Sequence, residues 1–213
     1  MFTGIITEIG SVRSLTRKAG GDTRFEIDTS QPLVGVALGA SIALSGACMT
    51  VIEQGERWFA VEVSDESLSK TTLGSWQVGR KLNLERALKA GDELGGHYVS
   101  GHVDGVGHLT GRESVAGSLR LTFALPTPFH RFVAPKGSIT LDGVSLTVNE
   151  VGATAGSTLG ETEFTVNIIP HTATHTTLGG LAVGDGVNFE IDMLARYMAR
   201  LMETAGASHA QNS

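Results

Sequence analysis

The sequence predicts an all-β protein made of two tandem copies of one small domain, followed by a single C-terminal helix. Three observations carry this. Short runs rich in β-branched and aromatic residues recur between Gly and polar clusters along most of the 213 residues. A block near residue 40 returns near residue 137. The apolar period becomes helical only after residue 191.

The strand runs of the first half are Thr23–Asp28, Ser41–Leu44, 49–53, Trp58–Val63 and 81–85. Those of the second half are 105–110, 119–124, Ser138–Leu141, 146–151, 163–168 and 187–191. Arg24-Phe25-Glu26-Ile27-Asp28 and Phe59-Ala60-Val61-Glu62-Val63 alternate with period two, as half-buried strands do. Many short strands with turn signals between them read as a sandwich or barrel. The chain has 28 Gly and 5 Pro, which suits tight turns better than disorder.

The repeat sets the domain count. Gly39-Ala-Ser-Ile-Ala-Leu-Ser-Gly-Ala-Cys-Met-Thr-Val51 returns as Lys136-Gly-Ser-Ile-Thr-Leu-Asp-Gly-Val-Ser-Leu-Thr-Val148, an offset of 97 with six of 13 positions identical. The same offset carries Gly4 to Gly101, Ile6 to Val103 and Gly10 to Gly107. Thr71-Thr72-Leu73-Gly74, Val78-Gly79 and Asn83-x-Glu85 return as Thr176-Thr177-Leu178-Gly179, Val183-Gly184 and Asn188-x-Glu190, an offset of 105. The difference implies about eight extra residues in the second copy, and the Gly- and Thr-rich stretch 152–160 is the place for a longer hairpin loop. The copies are read as residues 1–96 and 97–190.

After them, Asp192 is a good N-cap, and Leu194, Tyr197, Met198, Leu201 and Met202 fall at i, i+3, i+4, i+7 and i+8. Residues 191–206 are therefore read as an amphipathic helix, packed either on its own barrel or on copies of itself. Residues 207–213 are read as a flexible tail.

Composition excludes several classes. A net charge of −6 and 6% aromatics argue against a nucleic-acid partner. No run approaches the ~20 apolar residues of a membrane span. Met1-Phe2-Thr3-Gly4-Ile5-Ile6 lacks the basic region of a secretory signal, and the single Cys48 permits no intrachain disulfide. A cytoplasmic protein is expected.

Candidate chemistry gathers at repeat-related positions. Cys48 lies in a turn entering a strand; a lone Cys is commonly a small buried hydrophobe. Its counterpart is Ser145, and the counterpart of Ser45 is Asp142, so both copies carry polar or reactive types at matched places. His97 and His102 lie between Gly residues at the junction, where they read as acid–base groups or as hydrogen-bonded turn residues. His171 and His175 are four apart, a zinc spacing only on a helix, and Pro170 and the Thr-rich surroundings argue against one; no metal site is expected. Ser41, Thr50, Ser64, Ser67, Ser138, Ser145, Thr147 and Thr172 supply hydroxyls suited to a polar heterocycle or polyol, or to ordinary turns. There is no phosphate loop, no strand–Gly-x-Gly-x-x-Gly–helix unit and no Gly-x-Ser-x-Gly elbow.

Met1-Phe2-Thr3-Gly4-Ile5, the repeated Gly-x-Ser-Ile-x-Leu-x-Gly-x-x-x-Thr-Val frame, Leu84-Glu85-Arg86-Ala87, Gly95-Gly96-His97 and Ser100-Gly101-His102-Val103 together resemble riboflavin synthase, a family with two lumazine-binding repeats. The resemblance runs from residue 1 to about 200. It implies two six-stranded Greek-key barrels related by pseudo-twofold symmetry and a C-terminal helix that trimerises. It implies a dismutation in which one 6,7-dimethyl-8-ribityllumazine donates a four-carbon unit to another, giving riboflavin and 5-amino-6-ribitylaminouracil with no cofactor. Association with lumazine synthase is a possible further contact.

By the same resemblance, Gly4, Ile5 and Ile6, Cys48, Met49 and Thr50, Glu62, Val63, Ser64, Asp65, Glu66 and Ser67, with Gly101, His102 and Val103, bind one lumazine at the N-terminal barrel. Lys136, Ser145, Leu146 and Thr147, with Ile169, Pro170, His171, Thr172, Ala173 and Thr174, bind one at the C-terminal barrel. The N-barrel of one subunit is paired with the C-barrel of its neighbour. Cys48 or a water it holds adds at C7 of the acceptor, His102 with Ser41 and Thr50 assists proton transfer, Asp142 and Ser145 act from the donor side, and Phe2 covers the ring. One departure stands out: many family members read Asn-Gly-Cys-Cys-Leu-Thr where this chain has Ser45-Gly46-Ala47-Cys48-Met49-Thr50. The competing readings are a noncatalytic lumazine- or flavin-binding antenna protein, a flavin reductase barrel, which would need a nicotinamide-binding domain, and a carbohydrate- or oligonucleotide-binding β module.

Overall fold

The computed structural model describes residues 1–18, 21–153 and 162–210. The first copy forms β1 (Glu8–Arg17), β2 (Thr23–Asp28), β3 (Ser41–Leu44), β4 (Ala47–Gln54), β5 (Trp58–Val63), a short helix α1 (Asp65–Lys70) and β6 (Lys81–Arg86). The second forms β7 (Gly105–Val115), β8 (Ser118–Leu125), β9 (Ser138–Leu141), β10 (Val144–Ala153), β11 (Thr162–Ile168), a short helix α2 (Pro170–His175) and β12 (Gly186–Ile191). Helix α3 (Met193–Ala210) follows, starting two residues later and ending four residues later than the expected 191–206, so that it takes in residues expected to be tail.

Each copy closes into a six-stranded antiparallel barrel, ordered β1-β2-β5-β4-β3-β6 and, in repeat-equivalent order, β7-β8-β11-β10-β9-β12. Consecutive β3, β4 and β5 form a meander and β2 returns beside β5, which is a Greek key. The equivalence extends to the bulges. Pairing slips between Val12 and Ser14 in β1 and between Leu109 and Gly111 in β7, positions 97 apart. The β1 bulge breaks the period-two pattern, which is why Glu8–Arg17 escapes a search for alternation.

Each barrel has its own core. Phe25, Ile27, Leu44, Phe59, Val61 and Leu82 fill the first; Leu109, Leu121, Phe123, Leu141, Phe164 and Phe189 fill the second. The flanks of the expected long loop are paired as far as Ala153 and Thr162. The loop expected at 152–160 lies, beyond residue 153, outside the described residues. So do residues 211–213 of the expected tail.

The barrels face each other about a pseudo-twofold axis. Phe2 exchanges backbone hydrogen bonds with Val99, its own counterpart, at 2.8 and 3.1 Å. A Cβ on Gly46 would stand 2.9 Å from the Gly143 nitrogen, so glycine is required where these two equivalent turns touch. Paired Asn residues tie the barrels together. Asn83 Nδ2 donates to the Asp142 carbonyl (2.8 Å) and Asn83 Oδ1 accepts from Thr177 N–H (2.8 Å). Asn188 Nδ2 donates to the Ser45 carbonyl (2.9 Å) and Asn188 Oδ1 accepts from Thr72 N–H (2.7 Å). Both Asn side chains are buried, so four polar groups are satisfied only by the opposite barrel.

Candidate functional site

The segments preceding the barrels cross over. Glu85, buried at the end of β6, accepts hydrogen bonds from Thr3 N–H (2.7 Å), Thr3 Oγ1 (2.8 Å) and Gly4 N–H (3.0 Å). Burial raises the Glu85 pKa, and the bonds from Thr3 and Gly4 oppose that shift. Glu190 holds Ser100 and Gly101 in the same way at 2.6–2.9 Å. Held there, the Gly4 carbonyl accepts from Ser145 N–H (2.8 Å), and the Gly101 carbonyl accepts from Cys48 N–H (2.9 Å). Each barrel's reactive strand is thus closed by the lead-in segment of the other copy.

This corrects one expectation. The resemblance groups Gly4, Ile5 and Ile6 with Cys48 at the first barrel, whereas the Gly4 carbonyl lies against Ser145 and Ile6 packs on the second barrel's core. Gly101, His102 and Val103 do lie against Cys48, and Val103 packs on the first core. The chain crosses between barrels before its first strand, and residue spacing alone does not reveal that crossing.

The first site is a cavity of about 250 Å³ lined by Ala47, Cys48, Met49, Glu66, Ser67, Lys70, Thr71, Gly101, His102 and Val103. Strand β4 alternates, turning Met49 and Val51 inward while Cys48 is half-buried at the surface. Helix α1 forms one rim. Ser64 caps it by accepting from Ser67 N–H (3.2 Å), which puts Glu66, Ser67 and Lys70 at the opening. A Cβ on Gly101 would meet Cys48 Cβ at 2.6 Å, and Gly101 has φ +80°, so only glycine fits. The cavity adjoins a second one of about 450 Å³, lined by Ser100, His102, Val103, Asp104, Glu190, Met193, Arg196 and Tyr197 among others. The first site therefore opens beside the start of α3.

The second site has different chemistry on the same frame. Ser145 Oγ lies 2.7 Å from His97 Nδ1, and His97 Nε2 lies 3.2 Å from Thr140 Oγ1. Burial lowers the His97 pKa, with Asp192 partly opposing it. The imidazole is thus neutral near pH 7, with one nitrogen able to donate and the other to accept. Helix α2 is the repeat equivalent of α1, with His171 in place of Glu66 and His175 in place of Lys70. His171 and His175 do stand on a helix, contrary to the sequence expectation, because Pro170 takes its first position, where proline is favoured. Their rings stack at 4.0 Å, and among the described residues no group of three metal-ligating side chains occurs.

Other expected site residues are placed elsewhere. Phe2 is fully buried with Ala43 and Val99 on the axis; it backs Cys48 and does not cover an open ring site. Asp142 is buried in the inter-barrel turn, where Oδ1 accepts from Asn188 N–H (2.9 Å). Burial raises its pKa to about 7. Ser45 does the equivalent work, accepting from Asn83 N–H (3.2 Å), so an Asn at this position is not needed for that bond. Ser41 and Thr50 face each other across the β3–β4 pair, outside the Cys48 cavity lining. Lys136 is exposed in a left-handed turn, φ +67°, its N–H bonded to the Val148 carbonyl. Glu62 pairs with Lys18 and Asp65 with Arg17 on the surface. Val63 is core, Thr147 is exposed, and Leu146 belongs to the second core. Of 169–174, Ile169 is exposed, Ala173 packs on the core, and Thr174 bonds within its own helix. Lys70 and Thr71 line the first site without having been singled out as ligand groups; their repeat in the sequence as His175 and Thr176 was the available signal.

No helix among the described residues is long and apolar enough to cross a membrane.

Comparison with known proteins agrees with this arrangement. The lumazine binding domain matches twice, at residues 3–87 and 100–192. A riboflavin synthase of Brucella abortus (strain 2308) is 48% identical over 95% of this chain and 98% of its own. One of Bacillus subtilis (strain 168) is 38% identical over 100% of this chain and 95% of its own. Among solved structures, LumP complexed with 6,7-dimethyl-8-(1'-D-ribityl) lumazine superposes with a TM-score of 0.74 over 89% of this chain and 98% of that one, at 24% identity, a likeness of fold. The twofold repeat, the paired barrels and the full-length relatives place this chain in the riboflavin synthase family.

Proposed function

We propose that the chain converts two molecules of 6,7-dimethyl-8-ribityllumazine into riboflavin and 5-amino-6-ribitylaminouracil. The observation that carries this reading is the pair of equivalent but chemically different sites, one per barrel. A reaction between two copies of one substrate, in which one gives and the other receives, needs two similar binding frames with different reactive groups.

The two products together contain the atoms of two substrates, so no oxidant or cofactor enters. The C7 methyl of the lumazine is acidic because its carbanion delocalises into the ring system. The protein's tasks are to stack two rings, add a nucleophile at C7 of the acceptor and move protons. Holding the rings in register contributes most, since orientation of two reactants is worth ~7–11 kcal/mol. Cys48, or a water it holds, adds to the acceptor in the first barrel, with His102 beside it. The neutral His97, bonded to Ser145 Oγ, takes a proton on the donor side. Gly4, Ile5 and Ile6 contact the donor. Asp142, Phe2, Ser41 and Thr50 hold the frame.

The productive pair is the N-barrel of one subunit with the C-barrel of its neighbour in a homotrimer. Leu194, Tyr197, Met198, Leu201 and Met202 support this: all are at least 64% exposed, a stripe of the kind that closes against copies of itself, and it starts beside the Cys48 site. The enzyme works in the cytoplasm, where a partner making its substrate, a lumazine synthase, can pass it on.

The test is incubation of the purified chain with 6,7-dimethyl-8-ribityllumazine alone. Riboflavin at half the molar amount of lumazine consumed is expected. Lumazine that binds and fluoresces unconverted would instead make the chain a carrier or antenna.

A further inference from the structure

We propose that Asp104 and Arg196 form a positioning link through which α3 sets His102 in the Cys48 site. It rests on the reading of Cys48 and His102 as one half of the reactive centre. Arg196 Nη2 lies 2.8 Å from both Asp104 oxygens, and Asp104 Oδ2 also accepts from Ile191 N–H (2.9 Å). The Asp104 side chain is only 8% exposed, so its charge is compensated mainly by this guanidinium and the Ile191 N–H. Its own N–H donates to the Phe189 carbonyl (2.8 Å).

His102 and Val103 are therefore a two-residue span between two anchors. On one side Glu190 grips Ser100 and Gly101; on the other Asp104 is gripped by Arg196 and by β12. Those two residues line both the Cys48 cavity and the cavity beside α3. His102 itself is exposed and its only backbone anchor among the described residues is the bond from its N–H to Ser100 Oγ (3.2 Å). A shift at Asp104 is thus transmitted directly to the His102 ring position.

The link is peculiar to the first site. The counterpart of Asp104 is Thr7, whose Oγ1 donates to the Leu84 carbonyl (3.0 Å), and no helix follows β6 as α3 follows β12. Among the described residues the Ser145 site therefore has no ion pair to α3; its tie to that helix is the charge of the capping Asp192 acting on His97. The helix is held by a second ion pair, Arg131 with Glu203 (2.6 Å), two turns further along α3 and away from the residues that line the Cys48 cavity. This supplies an internal control.

Three variants test the link: Arg196→Met, Arg196→Lys and Arg131→Met, each assayed for lumazine turnover, for assembly size by sedimentation, and by NMR of ¹³C-labelled His102 side-chain signals. Arg196→Met is expected to lower kcat roughly tenfold or more, because small misplacements of reacting groups carry costs of that order, and to shift the His102 signals. Arg196→Lys should recover part of both effects, and Arg131→Met should leave both within twofold of the parent. Unmoved His102 signals in Arg196→Met overturn the proposal, whatever happens to turnover or assembly. Equal effects from Arg131→Met and Arg196→Met overturn it too, since the helix as a whole would then be responsible. If the parent chain turns over no lumazine, the functional reading fails, while the NMR comparison still decides the link.

Discussion

The two barrels share a backbone and differ in nearly every reactive group. Each has the same strand order, the same β1/β7 bulge, a short helix after the fifth strand and a Gly carbonyl from the other copy closing the strand that carries Cys48 or Ser145. On that frame the first copy carries Cys48, Glu66 and Lys70, with His102 beside them; the second carries Ser145, His171, His175 and the half-buried His97–Thr140 chain. Thr140 corresponds to Ala43, which offers no hydroxyl.

The largest expected effect comes from breaking what the copies share. Asn188→Leu removes the bonds to the Ser45 carbonyl and the Thr72 N–H, leaving one buried and one part-buried group unpaired. At ~1–3 kcal/mol for each, a loss of about 2–5 kcal/mol in unfolding free energy is expected by denaturant titration. Asn83→Leu should cost about as much, as the symmetry requires.

Next is Gly101→Ala, which places a methyl 2.6 Å from Cys48 Cβ at φ +80°. Turnover should fall on the order of a hundredfold, in line with the cost of a 1 Å misplacement at a reacting centre. Gly39→Ala, at φ +85° with nothing within 4 Å of the new methyl, should cost only about 1 kcal/mol of stability and spare activity.

Asp142→Ser sharpens the comparison by writing the first barrel's Ser45 into the second. Asp142 has its pKa raised to about 7, so the folded state keeps a proton that the unfolded state releases near 3.8. Its contribution is complete below about pH 4 and is lost as pH rises through about 7. The variant should therefore match the parent near pH 4 and exceed it increasingly as pH rises toward 8, read as a flatter stability profile. Burial moves His97 the other way: its lowered pKa disfavours the folded state as pH falls below about 6.5. The smallest effect belongs to Arg17→Met, which breaks an exposed pair with Asp65 and should change stability by under ~0.5 kcal/mol.

Much of this was readable in the residues. The strand runs, the repeat and the α3 stripe follow from local patterns, and the repeat marks Cys48 with Ser145 and Ser45 with Asp142 as equivalent pairs. What the residues do not show is which equivalents face a cavity. Asp142 looks reactive in type but lies in the contact between barrels, and Phe2 lies on the axis. The crossing that sends Gly4, Ile5 and Ile6 to Ser145 depends on Glu85 gripping Thr3 and Gly4, a contact 81 residues long in sequence. Asn83-x-Glu85 and Asn188-x-Glu190 were visible as repeats, yet only the fold reveals that each Asn reaches across the interface while each Glu anchors a lead-in segment.

The central claim is that one Cys48 site and one Ser145 site from neighbouring chains make a single reactive centre. Mixing Cys48→Ala chains with Ser145→Ala chains, after dissociation and reassembly, tests it. Each variant alone should turn over lumazine poorly. The mixture should recover activity, since about one interface in four of a randomly mixed heterologous ring pairs two intact sites. A mixture no more active than its components, with mixed assemblies shown by mass, would contradict the account and place both rings within one chain.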